Sequence, residues 1–173
     1  DFFTDFSNSC IPTAVTSDLI AVHWDDLNPE SGGSVYFQTL GTSPNRTFVV
    51  EWFNLPHYSN IGNVTFEAIL HEGSSEIVFQ YLDVAFDDPS LDNGLSTTVG
   101  IQNGSGTCES TPYSCNEALL SDQLAIRFIS DVDNDGLPDS WEILHFGDIT
   151  TTDGTTDYDV DGLIDSDEYS HDT

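Results

Sequence analysis

The sequence predicts an all-β fold: an antiparallel, jelly-roll-like β-sandwich followed by a small C-terminal segment of loops and a helix. Short runs of β-branched and aromatic residues recur through residues 1–129, separated by Gly, Asn, Pro and Asp. Several runs alternate between apolar and polar residues, which is the period of a half-buried strand. Beyond residue 129 this alternation stops and acidic residues become more frequent. Seven such runs with turn residues between them are typical of a sandwich.

The predicted strands are short and bounded by turn residues. They are Leu19–Trp24, Ser34–Leu40, Thr47–Phe53, Val64–Leu70, Glu76–Leu82, Ser96–Ile101 and Leu124–Ile129. In the fourth run Phe66, Ala68 and Leu70 fall on one face, because successive strand residues point to opposite sides. One helix is predicted, at Ser140–Phe146, and Gly147 is suited to end it.

The charge balance is extreme and uneven. The chain has 31 acidic residues against two basic ones, Arg46 and Arg127, which gives a formal net charge of −29. We expect no nucleic-acid partner and no membrane insertion, because phosphate is bound through Lys and Arg and no apolar run is long enough to cross a bilayer. Residues 131–173 hold 14 of the acids and no base. This shift predicts a sandwich domain at 1–129 and an acidic segment at 130–173.

Two stretches of the acidic segment match a calcium-binding loop at every position. Residues 131–142 and 157–168 both fit the pattern D-x-[DN]-x-[DN]-G-x5-E. Positions 1, 3 and 5 turn carboxylates towards one point, the glycine permits a sharp turn, and positions 7, 9 and 12 complete a shell of hard oxygens for Ca²⁺. The predicted ligands are Asp131, Asp133, Asp135, Leu137, Asp139 and Glu142 in the first loop, and Asp157, Asp159, Asp161, Leu163, Asp165 and Glu168 in the second. Two complete loops argue against plain solvated turns, so Ca²⁺ is the expected cofactor.

The loops do not read as a paired EF-hand. A predicted strand, Leu124–Ile129, precedes the first loop where an entering helix would lie. Pro138 also lacks the backbone N–H through which paired EF-hand loops bridge. The segment instead resembles the Asp-rich loops of thrombospondin type 3 repeats and dockerin-like modules. This resemblance implies that calcium organises a segment with little core of its own, so that removing calcium unfolds it.

The three cysteines are Cys10, Cys108 and Cys115. A local Cys108–Cys115 disulfide and a long-range Cys10–Cys115 disulfide are equally compatible with the sequence, and either leaves one thiol over. Three free thiols are the remaining alternative, although an extracellular location favours a disulfide. Asp1 follows neither an initiator Met nor an apolar signal segment, so we expect it to be the start of a processed or excerpted chain.

Five runs of the β region carry a family resemblance. They are Leu19–Pro29, Gly41–Trp52, Thr65–Gly73, Val99–Asn103 and Leu120–Phe128. Together, over residues 6–129, they resemble a β-sandwich module of bacterial secreted and surface proteins, distantly similar to nidogen-type extracellular domains. The resemblance implies an extracellular location and a module without chemistry of its own, of the kind that accompanies secreted peptidases and adhesins.

Modules of this kind begin with strands that are missing ahead of Asp1. A sandwich that lacks strands exposes an apolar face and an open edge. We therefore hypothesise that a neighbouring copy supplies the missing pairing by strand addition, a head-to-tail contact that does not close and builds a filament. Phe2, Phe3 and Phe6 give the chain a cohesive aromatic start. The alternatives are that these rings cap their own core, or that the chain is a fragment.

Catalytic motifs are missing from the sequence. The five histidines show no zinc-protease spacing and there is no G-x-S-x-G elbow. Asp25 and Asp26 are consecutive and point to opposite faces of a strand, which disfavours a glycosidase pair. We expect a non-enzymatic extracellular calcium-binding structural protein, a self-assembling subunit of a surface fibre or matrix. The alternatives are an accessory module of a larger secreted protein, or an adhesin that contacts glycans or protein through exposed Trp or Tyr.

Overall fold

The computed structural model describes residues 6–104 and 109–171, which form an all-β sandwich with two short C-terminal helices. The strands are β1 Leu19–Trp24, β2 Ser34–Leu40, β3 Thr47–Pro56, β4 Asn63–His71, β5 Ile77–Asp83, β6 Thr98–Asn103, β7 Glu109–Cys115 and β8 Ala125–Phe128. The helices are α1 Asp139–His145 and α2 Asp165–His171, and a 3₁₀ turn covers Asp92–Gly94. One sheet has the order β1-β6-β7 and the other β2-β3-β4-β5-β8. The predicted fold class is confirmed.

The seven predicted strands are all present. β1 and β2 have the predicted bounds, and β3, β4, β5 and β8 differ from the prediction by a few residues at their ends. β6 begins two residues later than expected. The Ser96 hydroxyl donates to Asp25 Oδ2 at 2.6 Å, and the Thr97 N–H donates to the Gly94 carbonyl at 3.1 Å. These two residues therefore complete a turn instead of joining the ladder.

Strand β7 was not predicted, because its Pro112 and polar residues read as a loop. It pairs antiparallel with β6 and lies at an edge of the three-stranded sheet, where a residue without an N–H is tolerated. The register shifts between Val99 and Gly100, opposite Pro112. Gly100 has φ of 152°, and a Cβ there would come within 2.6 Å of the Thr111 carbonyl oxygen. Only glycine fits this irregularity.

The core of the sandwich combines aliphatic side chains with several aromatic rings and a buried histidine. Phe79 and Phe86 are fully buried, and Tyr81 donates its hydroxyl to the Val22 carbonyl at 2.6 Å. His23 stacks on Phe66 with ring centroids 5.1 Å apart. Burial lowers the pKa of His23 to about 4, so this ring is neutral at physiological pH.

A disulfide joins Cys10 to Cys115, with Cα atoms 5.4 Å apart. Of the two pairings left open by the sequence, the structure has the long-range one. It ties the N-terminal segment to the end of β7. Cys108, Phe2 and Phe3 lie outside the described residues, while Phe6 is exposed.

The chain forms two compact units. The first comprises residues up to Gln38, Val49–Ile69 and Val78–Ile126. The second comprises Thr39–Phe48, Leu70–Ile77 and the residues from Arg127 onward, so it combines two strand-connecting hairpins with the acidic loops. In the part of the chain that the structure describes, neither helix is long and apolar enough to span a bilayer.

Candidate metal centre

The first acidic loop, residues 131–142, folds into a turn held by its own carboxylates. Asp131 Oδ1 accepts from the Asp135 N–H at 3.2 Å, and its Oδ2 accepts from the Gly136 N–H at 3.1 Å. Asp135 Oδ1 accepts from the Leu137 N–H at 2.8 Å. Carboxylate oxygens of Asp131, Asp133 and Asp135 lie within 4.8 Å of one another. Positions 1, 3 and 5 therefore converge on one point, as a calcium loop requires.

The second acidic loop, residues 157–168, repeats this arrangement position by position. Asp157 accepts from the Asp161 N–H at 3.1 Å and from the Gly162 N–H at 3.0 Å, while Asp161 accepts from the Leu163 N–H at 2.9 Å. Oxygens of Asp157, Asp159 and Asp161 again lie within 4.8 Å of one another. Because both loops adopt one hydrogen-bond pattern, their geometry follows from the shared spacing of residues.

The aspartate at position 9 of each loop bonds to the residue that immediately precedes the loop. Asp139 Oδ2 accepts from the Ser130 hydroxyl, and the Asp139 N–H donates to the Ser130 carbonyl at 2.9 Å. Asp165 makes the same pair of contacts with Thr156, with the backbone bond at 2.7 Å. In each loop the other carboxylate oxygen accepts from the N–H of position 2, at 2.8 and 3.2 Å. Position 9 thus fixes the start of the helix against the start of the loop.

The glycine at position 6 has a left-handed backbone in both loops. Gly136 has φ of 96° and Gly162 has φ of 102°. Position 4 is left-handed as well, at Asn134 with φ of 60° and at Val160 with φ of 62°. Asn adopts this conformation readily, whereas a β-branched residue is strained in it. The second loop therefore carries a local strain that the first loop lacks.

Glu142 distinguishes the first loop from an ordinary solvated turn. Its side chain, in α1, is fully buried and neither carboxylate oxygen has a hydrogen-bond partner. One of these oxygens lies within 4.8 Å of carboxylate oxygens of Asp133 and Asp139. Burial, reinforced by the surrounding aspartates, raises the pKa of Glu142 to about 7. A buried carboxylate without a hydrogen-bond partner costs folding free energy, and a cation bound beside it would offset that cost.

The structure gathers the predicted ligands in part. Two acidic clusters form in the first loop, Asp131 with Asp133 and Asp135, and Asp133 with Asp139 and Glu142. In the second loop Asp157, Asp159 and Asp161 cluster, and the described residues show no such grouping that includes Asp165 or Glu168. Leu137 is buried and Leu163 is exposed. The gathered donors are carboxylate oxygens without His or Cys, a set that suits a hard cation such as Ca²⁺ and not a soft metal.

The two loops are connected by aromatic rings. Trp141, next to Glu142, contacts Phe146 at 5.3 Å and Tyr169 at 5.8 Å between ring centroids. Phe146 in turn lies 5.0 Å from Tyr158, at position 2 of the second loop. Through these rings, residues of the first loop and its helix are in packing contact with residues of the second.

Arg127 connects α2 to the hairpin between β4 and β5. Its Nη1 donates to the Tyr169 hydroxyl at 2.6 Å, and its Nε donates to Glu76 at 2.7 Å. The guanidinium also lies over the Tyr169 ring, 5.8 Å from its centroid. Burial opposes the charge, but the bonds to Glu76 and Tyr169 prevail and raise the pKa of Arg127. The helix that ends the second loop is thereby fixed to the hairpin between β4 and β5.

Sequence reasoning missed three parts of this site. Ser130 and Thr156, which lock position 9, lie just outside the motif, although the hydroxyl residue before each loop was a visible signal. Helix α2 was missed as well, although Asp165-Ser-Asp-Glu repeats the Asp139-Ser-Trp-Glu start of α1. The partnership between Arg127 and Tyr169 could not be read from the sequence, because it depends on tertiary structure.

A comparison with family models decides the family. The model described as NIDO related matches residues 3–146. The chain belongs to the NIDO-related family. This membership supports a nidogen-like, extracellular module, and the match extends through the first acidic loop and α1. No curated protein and no solved structure matches the chain.

Proposed function

We propose that this NIDO-related chain is an extracellular structural protein whose acidic loops bind Ca²⁺. The observation that carries the proposal is Glu142, a fully buried carboxylate without a partner, directed at Asp133 and Asp139 in a loop of calcium-binding spacing. A divalent cation there would satisfy the buried oxygens and offset the mutual repulsion of the aspartates. The matched geometry of the second loop supports a second Ca²⁺.

Calcium would act on stability, because the acidic loops have few apolar groups to bury. The chain carries a net charge of −29, and self-repulsion of this size destabilises a compact state. Binding that occurs only in the folded state adds to stability, by about 2.7 kcal/mol per site when free Ca²⁺ is 100 times the dissociation constant. The cation would fold the second unit and stiffen it.

A structural role is favoured over catalysis by the side chains that most resemble an active site. Asp25 accepts from the Ser96 hydroxyl and from the Asp26 N–H, so its carboxylate is committed to a strand-end turn. His57 Nδ1 lies 2.7 Å from the Ser59 hydroxyl, but it also accepts the Ser59 N–H, which makes this a local turn. His57 Nε2 is 3.9 Å from Asp25, beyond hydrogen-bond distance. This geometry does not activate a nucleophile.

The test is hydrogen exchange of the whole chain in excess Ca²⁺, in excess Mg²⁺ and in chelator. Peptides from 131–171 should be protected in Ca²⁺ and exchange much faster in chelator, because the binding free energy is folding free energy for these loops. Mg²⁺ should protect them less, since it prefers a small octahedral shell with retained waters. Exchange that is identical in all three buffers would overturn the proposal. Peptides from Val49–Ile69, in the first compact unit, serve as the internal reference.

A second candidate, a glycan-binding adhesive module, is favoured by one cavity in the second unit. It has a volume of about 470 Å³, and its lining includes both arginines of the chain together with Trp141 and Tyr169. Arginines paired with carboxylates, here Arg46 with Glu72, present fixed donors and acceptors beside aromatic faces. Retention of the protein on immobilised glycans, lost on Arg46→Gln, would support this role. Equal elution of the wild type and the variant would count against it.

A further inference from the structure

The part of β2 that belongs to the first compact unit, up to Gln38, has large apolar side chains in solvent. β2 lies at one edge of the five-stranded sheet. Val35, Tyr36 and Phe37 are all exposed, and Phe37 exposes 76% of its surface. Successive strand residues point to opposite faces, so each face of β2 carries exposed apolar side chains. Soluble proteins normally protect an edge like this with charges, a proline or a covering element.

A groove of complementary character runs beside β1. β1 lies at an edge of the three-stranded sheet, and the groove along it has a volume of about 540 Å³. Its floor includes Trp52 and Phe66, whose rings stack with centroids 5.1 Å apart. Val15 and Ile20 also line the groove, and both side chains are exposed. The same unit thus carries a strand with exposed apolar side chains and an uncharged groove with aromatic rings in its floor.

Both surfaces lack charge in a strongly anionic protein. The groove has no acidic residue in its lining, and β2 contains none. Residues 31–50, which include β2, are the longest stretch of the chain without Asp or Glu. Two chains of charge −29 repel each other wherever acidic surfaces meet. A second copy can approach closely only through uncharged surfaces, whereas a basic partner would be drawn to the acidic surfaces instead.

We propose that copies of this chain assemble head to tail, with the β2 edge of one copy lying along β1 in the groove of the next. This inference deepens the proposed structural function and rests on it for its biological meaning. The apolar side chains of β2 leave water as they pack along the groove of the next copy, and this burial provides the affinity. Because the two surfaces differ, each copy retains one of them for a further neighbour, so the contact propagates.

A two-fold contact between two β2 edges is the competing arrangement. It would cover β2 of both copies but leave both grooves open to solvent. The head-to-tail contact covers both surfaces of every internal copy, and it is therefore the arrangement that removes more apolar surface from water.

The test uses two edge variants and one control of the whole chain. Phe37→Asp places a charge on β2, and Val15→Asp places one at the groove, where the side chain is 54% exposed and tolerates the change. Leu82→Asp is the matched control, because Leu82 is 65% exposed on β5, between β4 and β8 in the sheet. Association is followed by analytical ultracentrifugation. Calcium binding is measured on every variant by titration.

Wild-type protein and Leu82→Asp should form concentration-dependent oligomers. Phe37→Asp and Val15→Asp should each remain monomeric alone, and an equimolar mixture should give a species of twice the 19.0 kDa monomer mass, because each variant retains the surface that the other lacks. A monomeric wild type at millimolar concentration, a mixture that stays monomeric, or a Val15→Asp protein that still dimerises would each overturn the inference. A wild type that binds calcium but does not assemble would refute only the proposed contact. A wild type that does not bind calcium would refute the proposed function.

Discussion

Replacing Glu142 by Gln should change stability in opposite directions with and without calcium. In chelator the wild type keeps a fully buried carboxylate, without a hydrogen-bond partner, near Asp133 and Asp139. Gln has the same shape without the charge, and its amide can donate to the neighbouring aspartates. An unsatisfied buried polar group costs about 1–3 kcal/mol, and more if it is charged. We therefore expect Glu142→Gln to gain on the order of 2 kcal/mol in chelator.

In saturating calcium the same substitution should be destabilising. It removes a charged ligand at position 12, where a carboxylate can close the shell with both oxygens. Loss of a partner that merely supports a ligand costs 10–100-fold in metal affinity, so loss of the ligand itself should cost about 100-fold or more. At a calcium concentration 100 times the wild-type dissociation constant, most of the stabilisation of about 2.7 kcal/mol at this loop would disappear.

The assay is the free energy of opening of peptides within 131–147, measured by hydrogen exchange in chelator and in calcium. Asp167→Asn is the matched control, since it also removes one negative charge beside an acidic loop but lies at position 11, outside the ligand pattern. The control should leave the calcium response intact. The reasoning is wrong if Glu142→Gln is less stable than wild type in chelator, or if its calcium response equals that of the wild type.

Three further changes should give measurable effects. Val160→Asn, which copies Asn134 of the first loop, relieves a left-handed β-branched residue and should stabilise the second loop by about 1 kcal/mol in hydrogen exchange, whereas no gain would mean that the strain is absent. Replacing Cys10 and Cys115 by Ala removes a link between residues 105 positions apart, which restricts the unfolded chain. Denaturant unfolding should show that the free energy of unfolding falls by about 4 kcal/mol, and a fall below about 1 kcal/mol would refute this entropic argument. Burial lowers the pKa of His23 to about 4, while the ring in the unfolded chain titrates near 6.5. Between these values the unfolded state binds more protons than the folded state. The free energy of unfolding should therefore fall by about 3 kcal/mol as the pH falls from 7 to 4. His23→Gln should remove that part of the pH dependence, and an unchanged profile would contradict the assignment.

The sequence predicted the fold class because polarity alternates along strands that are buried on one face. Of Phe66, Ala68 and Leu70, predicted to share a face, the first two are buried and Leu70 is half-buried. Strand β7 escaped prediction because it is polar, contains Pro112, and owes its place to pairing with β6. The choice between Cys108 and Cys10 as the partner of Cys115 was equally beyond sequence reasoning, since a spacing of 105 residues carries no local signal.

The sequence predicted the ligand residues of the candidate site, but fewer of the contacts that hold them in place. The spacing of acids identified Asp131, Asp133 and Asp135, because loop geometry at this scale is local. The burial of Glu142 was not predictable, since it depends on the packing around α1. The predicted boundary at residues 129 and 130, and calcium binding itself, remain predictions.

The arrangement of the second unit has a consequence for how this chain can be divided or transplanted. The acidic loops share a compact unit with Thr39–Phe48 and Leu70–Ile77, stretches that lie far from them along the chain. Arg127, which holds Tyr169, precedes residue 130 and draws its other partner, Glu76, from the hairpin between β4 and β5. A cut between residues 129 and 130 would leave α2 without this anchor. The loops are thus contiguous as a motif but not as a folding unit, and a recipient protein would have to provide its own hairpin and arginine to hold them.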